Sequence, residues 1–235
     1  MSRSGCACVA VAAVFLAGAL ASAQPRLPKE TIPQDLPSEI RALLEQCYAS
    51  APSARGSAAR TRGDAAKSLG QLKEKAAPAV PFLISMLGDN VGYTESTKVG
   101  QTMIFGLSSP GRHAAVALGS IGSAAIEPLL KVLETAEGPN RDKAALALGI
   151  AKDPRAVPPL IEALAGQDAR LRSEAATALG GLNDQRAVPP LIGALRDPDE
   201  AVSSAAQEAL RQLTAQKFGK NQARWQQWWQ AHKKQ

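Results

Sequence analysis

The sequence predicts an all-α protein, an α-solenoid of about five antiparallel helix pairs with a C-terminal capping helix. Two observations carry that prediction. Arg155-Ala156-Val157-Pro158-Pro159-Leu160-Ile161 recurs 31 residues later as Arg186-Ala187-Val188-Pro189-Pro190-Leu191-Ile192, and Ala147-Leu148-Gly149 recurs as Ala178-Leu179-Gly180 at the same distance. The composition is 45% apolar but only 4% aromatic, so alanine supplies much of the apolar side-chain count, which suits helices packed at short range. A unit of about 30 residues with two helical segments cannot bury its apolar face alone and must stack on its neighbours.

Residues 1 to 23 read as a secretory signal peptide. Arg3 precedes an uncharged run from Gly5 to Leu20, and Ala21-Ser22-Ala23 offers the small side chains that a signal peptidase accepts, with cleavage after Ala23. The alternative is a retained anchor, but the run is Ala-rich and shorter than the roughly 20 residues that span a bilayer. Export implies a periplasmic or secreted protein without stable membrane insertion after cleavage. Cys6 and Cys8 leave with the leader, so Cys47 alone remains and no internal disulfide forms. Cys47 continues the helical spacing of Ile40, Leu43 and Leu44 and reads as a core thiol. Residues 24 to 37 carry prolines at 25, 28, 33 and 37 and read as a linker or strap.

The repeat domain spans 38 to 215, with helix pairs at about 36 to 72, 77 to 121, 125 to 151, 155 to 181 and 186 to 214. Each first helix opens with proline in its first turn, as at Pro158 and Pro189, where the missing N–H is not needed. Asp168 and Asp199 are placed to cap the second helices, whose apolar faces run through Leu171, Ala175, Ala178 and Leu179 and through Val202, Ala206, Ala209 and Leu210. Gly149 and Gly180 are read as C-caps. An insert at about 88 to 111 lengthens the second unit and carries Tyr93 and Lys98; insertions of this kind often touch a partner. Residues 216 to 235 form a basic segment in which Trp225, Trp228 and Trp229 share one helical face, suited to closing the stack over 221 to 233.

These repeats resemble HEAT-like repeats of the phycobilin-lyase type, whose pattern is Asp-x-x-Val-Arg-x-x-Ala-x-x-Ala-Leu-Gly, a turn, then Ala-Val-Pro-Pro-Leu-Ile. Asp168, Leu171, Arg172, Ala175, Ala178, Leu179 and Gly180 follow it, and the resemblance runs from about 55 to 215. In such repeats Asp and Arg tend to form a ladder between units. The arginine stands here as Arg62, Arg141 and Arg172 but is replaced by Gly111 and Ser203, so the ladder is expected to be interrupted. The alternative that the resemblance implies is an enzyme, of which two kinds share this repeat type. Phycobilin lyases work inside the cell, against the export signal; deoxyhypusine hydroxylase holds di-iron through His-Glu pairs, and this chain has no His-Glu dipeptide and only His113 and His232.

The residues therefore imply a non-catalytic protein-binding scaffold with no catalytic, cofactor or metal site. Its expected partner is a protein or peptide on the second-helix surface, contacted by Arg141, Arg170, Arg172, Glu174, Ser203, Gln207 and Arg211, with Tyr93 and Lys98 added from the insert. His113 reads as an ordinary surface histidine, and Ser108-Ser109 lacks the Gly-x-Ser-x-Gly elbow of serine hydrolases. The formal charge of +6 does not imply nucleic-acid binding, because residues 76 to 208 sum to −4 while the segment after Glu208 holds six basic residues and no acid. Weak contact of the terminal basic segments with anionic envelope polymers is a minor alternative.

Overall fold

A computed structural model describes residues 27–48, 55–99 and 102–232; the predicted signal peptide and Lys233 and Lys234 lie outside them. In chain order the helices are α1 (Ser38–Cys47), α2 (Arg55–Gln71), α3 (Val80–Met86), α4 (Pro110–Ile121), α5 (Ser123–Thr135), α6 (Pro139–Ala151), α7 (Val157–Leu164), α8 (Ala169–Leu182), α9 (Val188–Ala194), α10 (Glu200–Thr214) and α11 (Gln222–His232). Consecutive helices pack as α1 on α2, α3 on α4, α5 on α6, α7 on α8 and α9 on α10. The second helices also pack on one another, α2 on α4, α4 on α6, α6 on α8 and α8 on α10, and form one continuous layer. The all-α solenoid expected from the 31-residue period is the architecture observed.

The sequence explains why the two layers differ. The first helices start at a Val followed by proline, as in α3, α7 and α9, and α7 and α9 follow a 3-10 turn that an aspartate caps, Asp153 before Arg155 and Asp184 before Arg186. The second helices α8 and α10 start at Asp168 and Asp199, whose carboxylates accept backbone N–H bonds from Arg170 and from Ala201 and Val202. Such a cap satisfies donors that the first turn cannot satisfy itself. Leu160 and Leu191 from the first helices and Leu171, Leu179, Val202 and Leu210 from the second are all buried, each contributing roughly 1.5–3 kcal/mol.

Gly149 and Gly180 are not C-caps. Both lie inside their helices, which continue to Ala151 and Leu182 and end on Lys152 and Asn183 in the left-handed conformation (φ 55° and 53°). The glycines are there because the next helix is too near for a side chain. A Cβ on Gly149 would stand 2.7 Å from Ala178 Cα, and one on Gly180 would stand 2.8 Å from Ala209 Cα. Gly70 meets Ala117 Cα at 2.8 Å in the same way.

The insert departs from the all-helical pattern. It folds as an antiparallel hairpin, β1 (Tyr93–Val99) paired with β2 (Thr102–Ser108), in a register that sets Tyr93 opposite Ser108 and Lys98 opposite Met103. β1 packs on α2. At the other end α11 lies on α9, with Trp225 1% exposed, its indole N–H bonded to Gly219 O at 2.8 Å, and Phe218 set edge-on to its ring at 4.9 Å.

The glycine contacts yield a direct test. Gly149→Ala forces a methyl into a neighbouring backbone and should destabilise by about 1–3 kcal/mol. Gly193→Ala, exposed on α9 with nothing within 4 Å of its new methyl, should be neutral or stabilise by up to about 1 kcal/mol. Urea denaturation of both variants checks the pair, and equal effects would contradict the packing argument.

Candidate functional site

A groove of about 570 Å³ runs across the N-terminal ends of the second helices. Its walls come from four successive units: Ser109 and Arg112 at the start of α4, Asp142 and Lys143 on α6, Arg170, Ser173 and Glu174 on α8, and Asp199 and Ala201 at α10, with Asn90 closing one side. Close packing of the second helices holds these ends side by side. Polar side chains near the ends of several units thus share one concave surface.

The groove is charged and unevenly solvated. Asp142 is 6% exposed, its Oδ1 is buried without a hydrogen-bond partner, and its Oδ2 lies 3.7 Å from Arg170 Nε. Burial raises its carboxyl above the usual range and Asp168 adds to the rise, with Arg170, Lys143 and Arg141 opposing it. Glu174 is raised for the same reason, burial first; Arg112 opposes and Asp142 adds to the effect. The Lys143 ammonium donates to Leu87 O at 2.7 Å and to Asn90 Oδ1, and burial lowers its pKa. Arg170 is 79% exposed in its side chain, and Arg112 is exposed at the rim.

Of the residues predicted from sequence to meet a partner, Arg170 and Glu174 line this groove. The others have different settings. Arg172 turns to the next unit, where its Nε and Nη2 donate to Asp197 Oδ2 and Oδ1 at 2.7 and 2.8 Å and its Nη1 donates to Gln167 O. Arg141 donates to Leu133 O at 2.7 Å. Ser203 is buried and receives Lys220 Nζ at 2.8 Å. Arg211 pairs with Glu208 on its own helix, and Gln207 is half-buried outside the groove lining. Lys98 sits in β1, and its side chain lies outside the described residues.

The interrupted ladder has a simple geometry. Arg62 on α2 donates from Nε to Asp89 Oδ2 at 2.7 Å, just after α3, as Arg172 on α8 does to Asp197 just after α9; each arginine therefore reaches the turn of the following unit. A side chain at Gly111 would strike Leu87 O, and Lys220 donates to Ser203 and Glu200 at the last unit. The ladder carbonyls and carboxylates are structural partners, and the Asp197 carboxyl is held below its usual range by the Arg172 hydrogen bonds.

His113 is not an ordinary surface residue. Its side chain is 11% exposed, its Nε2 lies 2.9 Å from Ser108 Oγ and 3.3 Å from Glu95 Oε2, and its ring stacks on Tyr93 at 6.0 Å. Tyr93 is buried against Gly63, and burial, with Glu95, pushes its phenol up to about 12. A nucleophile–base–acid relay needs the serine and the carboxylate on opposite ring nitrogens. Here both approach Nε2, so the group ties the hairpin to α4 rather than forming a relay. Neither Asp142 nor His113 was singled out from sequence as a site residue. A readable signal for the groove did exist: Arg112, Asp142 and Ser173 occupy one repeat position, and Lys143 and Glu174 the next.

Residues 111–174 and 157–223 match the family model of HEAT repeats. No curated protein matches the chain. Among solved structures, the complex of CpcE and CpcF of phycocyanin lyase from Nostoc sp. PCC7120 is similar at 27% identity, covering 84% of this chain and 69% of that one with a TM-score of 0.48. An engineered protein is similar at 20% identity over 74% and 79% of the two chains (TM-score 0.41). A designed armadillo repeat protein in complex with the peptide (KR)4 is similar at 17% identity over 83% and 93% (TM-score 0.41).

The two arginines once grouped on one surface should separate in energy. Arg172→Ala removes both guanidinium bonds to Asp197, which keeps only the Asp199 N–H, and should cost about 1.5–3 kcal/mol, whereas Arg211→Ala removes a solvent-screened pair on the open surface and should be close to neutral. Chemical denaturation of both variants measures the difference.

Proposed function

We propose that this HEAT-like repeat protein is a non-catalytic scaffold that binds a protein or peptide segment in the groove across α4, α6, α8 and α10, and that it works in the periplasm or outside the cell after loss of residues 1–23. The carrying observation is the groove itself. It draws on four units, its walls are fixed by helix packing, and among the described residues the side chains of Arg112 and Arg170 make no hydrogen bond there. An extended segment is the ligand whose length matches a groove that crosses several units. The mixture of Arg112, Lys143 and Arg170 with Asp142, Glu174 and Asp199 suits a polar partner and gives orientation through charge complementarity. The non-catalytic reading is supported by the geometry at His113, where serine and carboxylate share one nitrogen. The support for export is the arrangement of Arg3, the Gly5 to Leu20 run and the small residues before Gln24.

Capture from the envelope fraction of the source cells, with the mature protein as bait, tests the binding reading. A partner retained by the natural sequence and by Arg211→Ala, and lost with Arg112→Glu combined with Arg170→Glu, is the expected result. A partner indifferent to the groove variant excludes this surface. Amino-terminal sequencing of the protein made in a bacterial host checks export, with Gln24 expected as the first residue.

A further inference from the structure

We propose that Asp142 and Glu174 form the recognition point for a basic side chain, lysine or arginine, carried by the segment that occupies the groove. This rests on the binding reading above and adds the chemistry of the ligand. Two carboxyl groups, one on α6 and one on α8, stand on the walls of the same groove. Asp142 is the more telling of the two. A carboxylate that is 6% exposed ordinarily accepts several hydrogen bonds, yet its Oδ1 has no partner and its Oδ2 is 3.7 Å from the nearest guanidinium nitrogen, beyond hydrogen-bond length.

The surrounding cations do not meet that need. Lys143, the next residue, is turned to Leu87 O and Asn90 Oδ1. Arg141 donates to Leu133 O. Arg170 is 79% exposed and meets Asp142 Oδ2 at 3.7 Å, an exposed ion pair that a ligand cation can replace. Arg112 stands at the rim near Glu174. A ligand ammonium or guanidinium entering between Asp142 and Glu174 brings positive charge and donors beside both carboxyl groups, and a charge-assisted hydrogen bond in a partly desolvated site is stronger than one at an open surface. Arg112 and Arg170 remain available at the rim for carbonyls or an acidic residue of the same segment. The raised pKa values of Asp142 and Glu174, caused first by burial, agree with carboxyls held in a partly desolvated wall.

The pH dependence follows in sign. The groups facing Asp142 are Asp168 and Arg170 of the α8 start, with Arg141 and Lys143 of its own helix; those facing Glu174 are Arg112 of α4, Asp142 of α6 and Arg170. Only the ionised carboxyls attract a cation, and their folded values lie above the ordinary ones. Binding of a basic segment therefore weakens as pH falls through the raised values, earlier than for exposed carboxylates.

Fluorescence anisotropy decides the matter with three labelled eight-residue peptides, alternating glycine with lysine, glutamate or serine. They are titrated into the mature natural sequence, Asp142→Asn/Glu174→Gln and Ser173→Trp, each first checked for an unchanged helical circular dichroism spectrum. The lysine peptide is expected to bind the natural sequence, to lose at least about tenfold in affinity with Asp142→Asn/Glu174→Gln, and to lose as much with Ser173→Trp, which fills the groove without changing its charge. Absence of lysine-peptide binding, or equal affinity for the natural sequence and the carboxyl variant, overturns the inference. Binding of the glutamate or serine peptide that Ser173→Trp abolishes also overturns it, while leaving the groove standing as a binding site. Lysine-peptide binding that Ser173→Trp leaves intact removes the groove reading with it. Asp142→Asn and Glu174→Gln as single variants guard against a packing defect in the double one, because each should reproduce part of the loss.

Discussion

The second helices approach one another so closely that a methyl group is excluded at Gly70, Gly149 and Gly180, where the facing residue is Ala117, Ala178 or Ala209. Side chains of ordinary size between these helices would separate them, and the layer α2, α4, α6, α8, α10 would open. Everything distinctive about the surface follows from this spacing. With their axes held near, the starts of α4, α6, α8 and α10 lie within one concavity, and residues one turn into each helix become neighbours despite a separation of about 30 in sequence. The alanine richness is thus a packing requirement of one layer, while buried leucines, isoleucines and valines such as Leu160, Leu191, Ile126 and Val202 add the larger apolar side chains of the core.

Polar connections then fix each unit on the next. Arg62 and Arg172 reach past their own units to Asp89 and Asp197, and Asp197 also accepts the backbone N–H of Asp199 at 2.9 Å, next to the cap of α10. One aspartate therefore joins a helix start to the preceding unit. Where Gly111 replaces the arginine, the chain has just left the hairpin and its backbone N–H bonds Asp89 O at 2.9 Å, so the space of the missing side chain is filled by the turn after α3. The Ser108, Glu95 and His113 contacts then hold the hairpin to α4.

Repetition made most of the fold legible. The 31-residue period, the prolines at Pro158 and Pro189 and the caps at Asp168 and Asp199 each have a local physical cause, so each can be read without the structure. The glycines were misread because a glycine near the end of an apolar period serves equally as a left-handed cap or as a point of close approach; only the position of the neighbouring helix separates the two. The hairpin was hidden since its segment breaks the period without alternating cleanly. At the site, Arg170 and Glu174 were found by face, but Arg172 and Arg141 were grouped with them because a helical wheel does not show which way a long guanidinium bends. Asp142 stands directly after Arg141, at a position the repeat pattern leaves unspecified, and such positions are where a solenoid's binding surface differs from its scaffold.

Net charge describes this molecule poorly, since the groove takes its character from desolvation. At the C-terminal end Arg211 and Lys220 find Glu208 and Glu200 in the open, where ion pairs are weak and salt-screened. In the groove, by contrast, Asp142 and Glu174 sit at depth with fewer compensating contacts, and a charge there acts through a less polar medium. Their positions are set by helices whose spacing is fixed by backbone contact, and Lys143 is pinned to the backbone of Leu87. A ligand entering such a site orders few protein groups, so less of its interaction energy is lost to immobilising them.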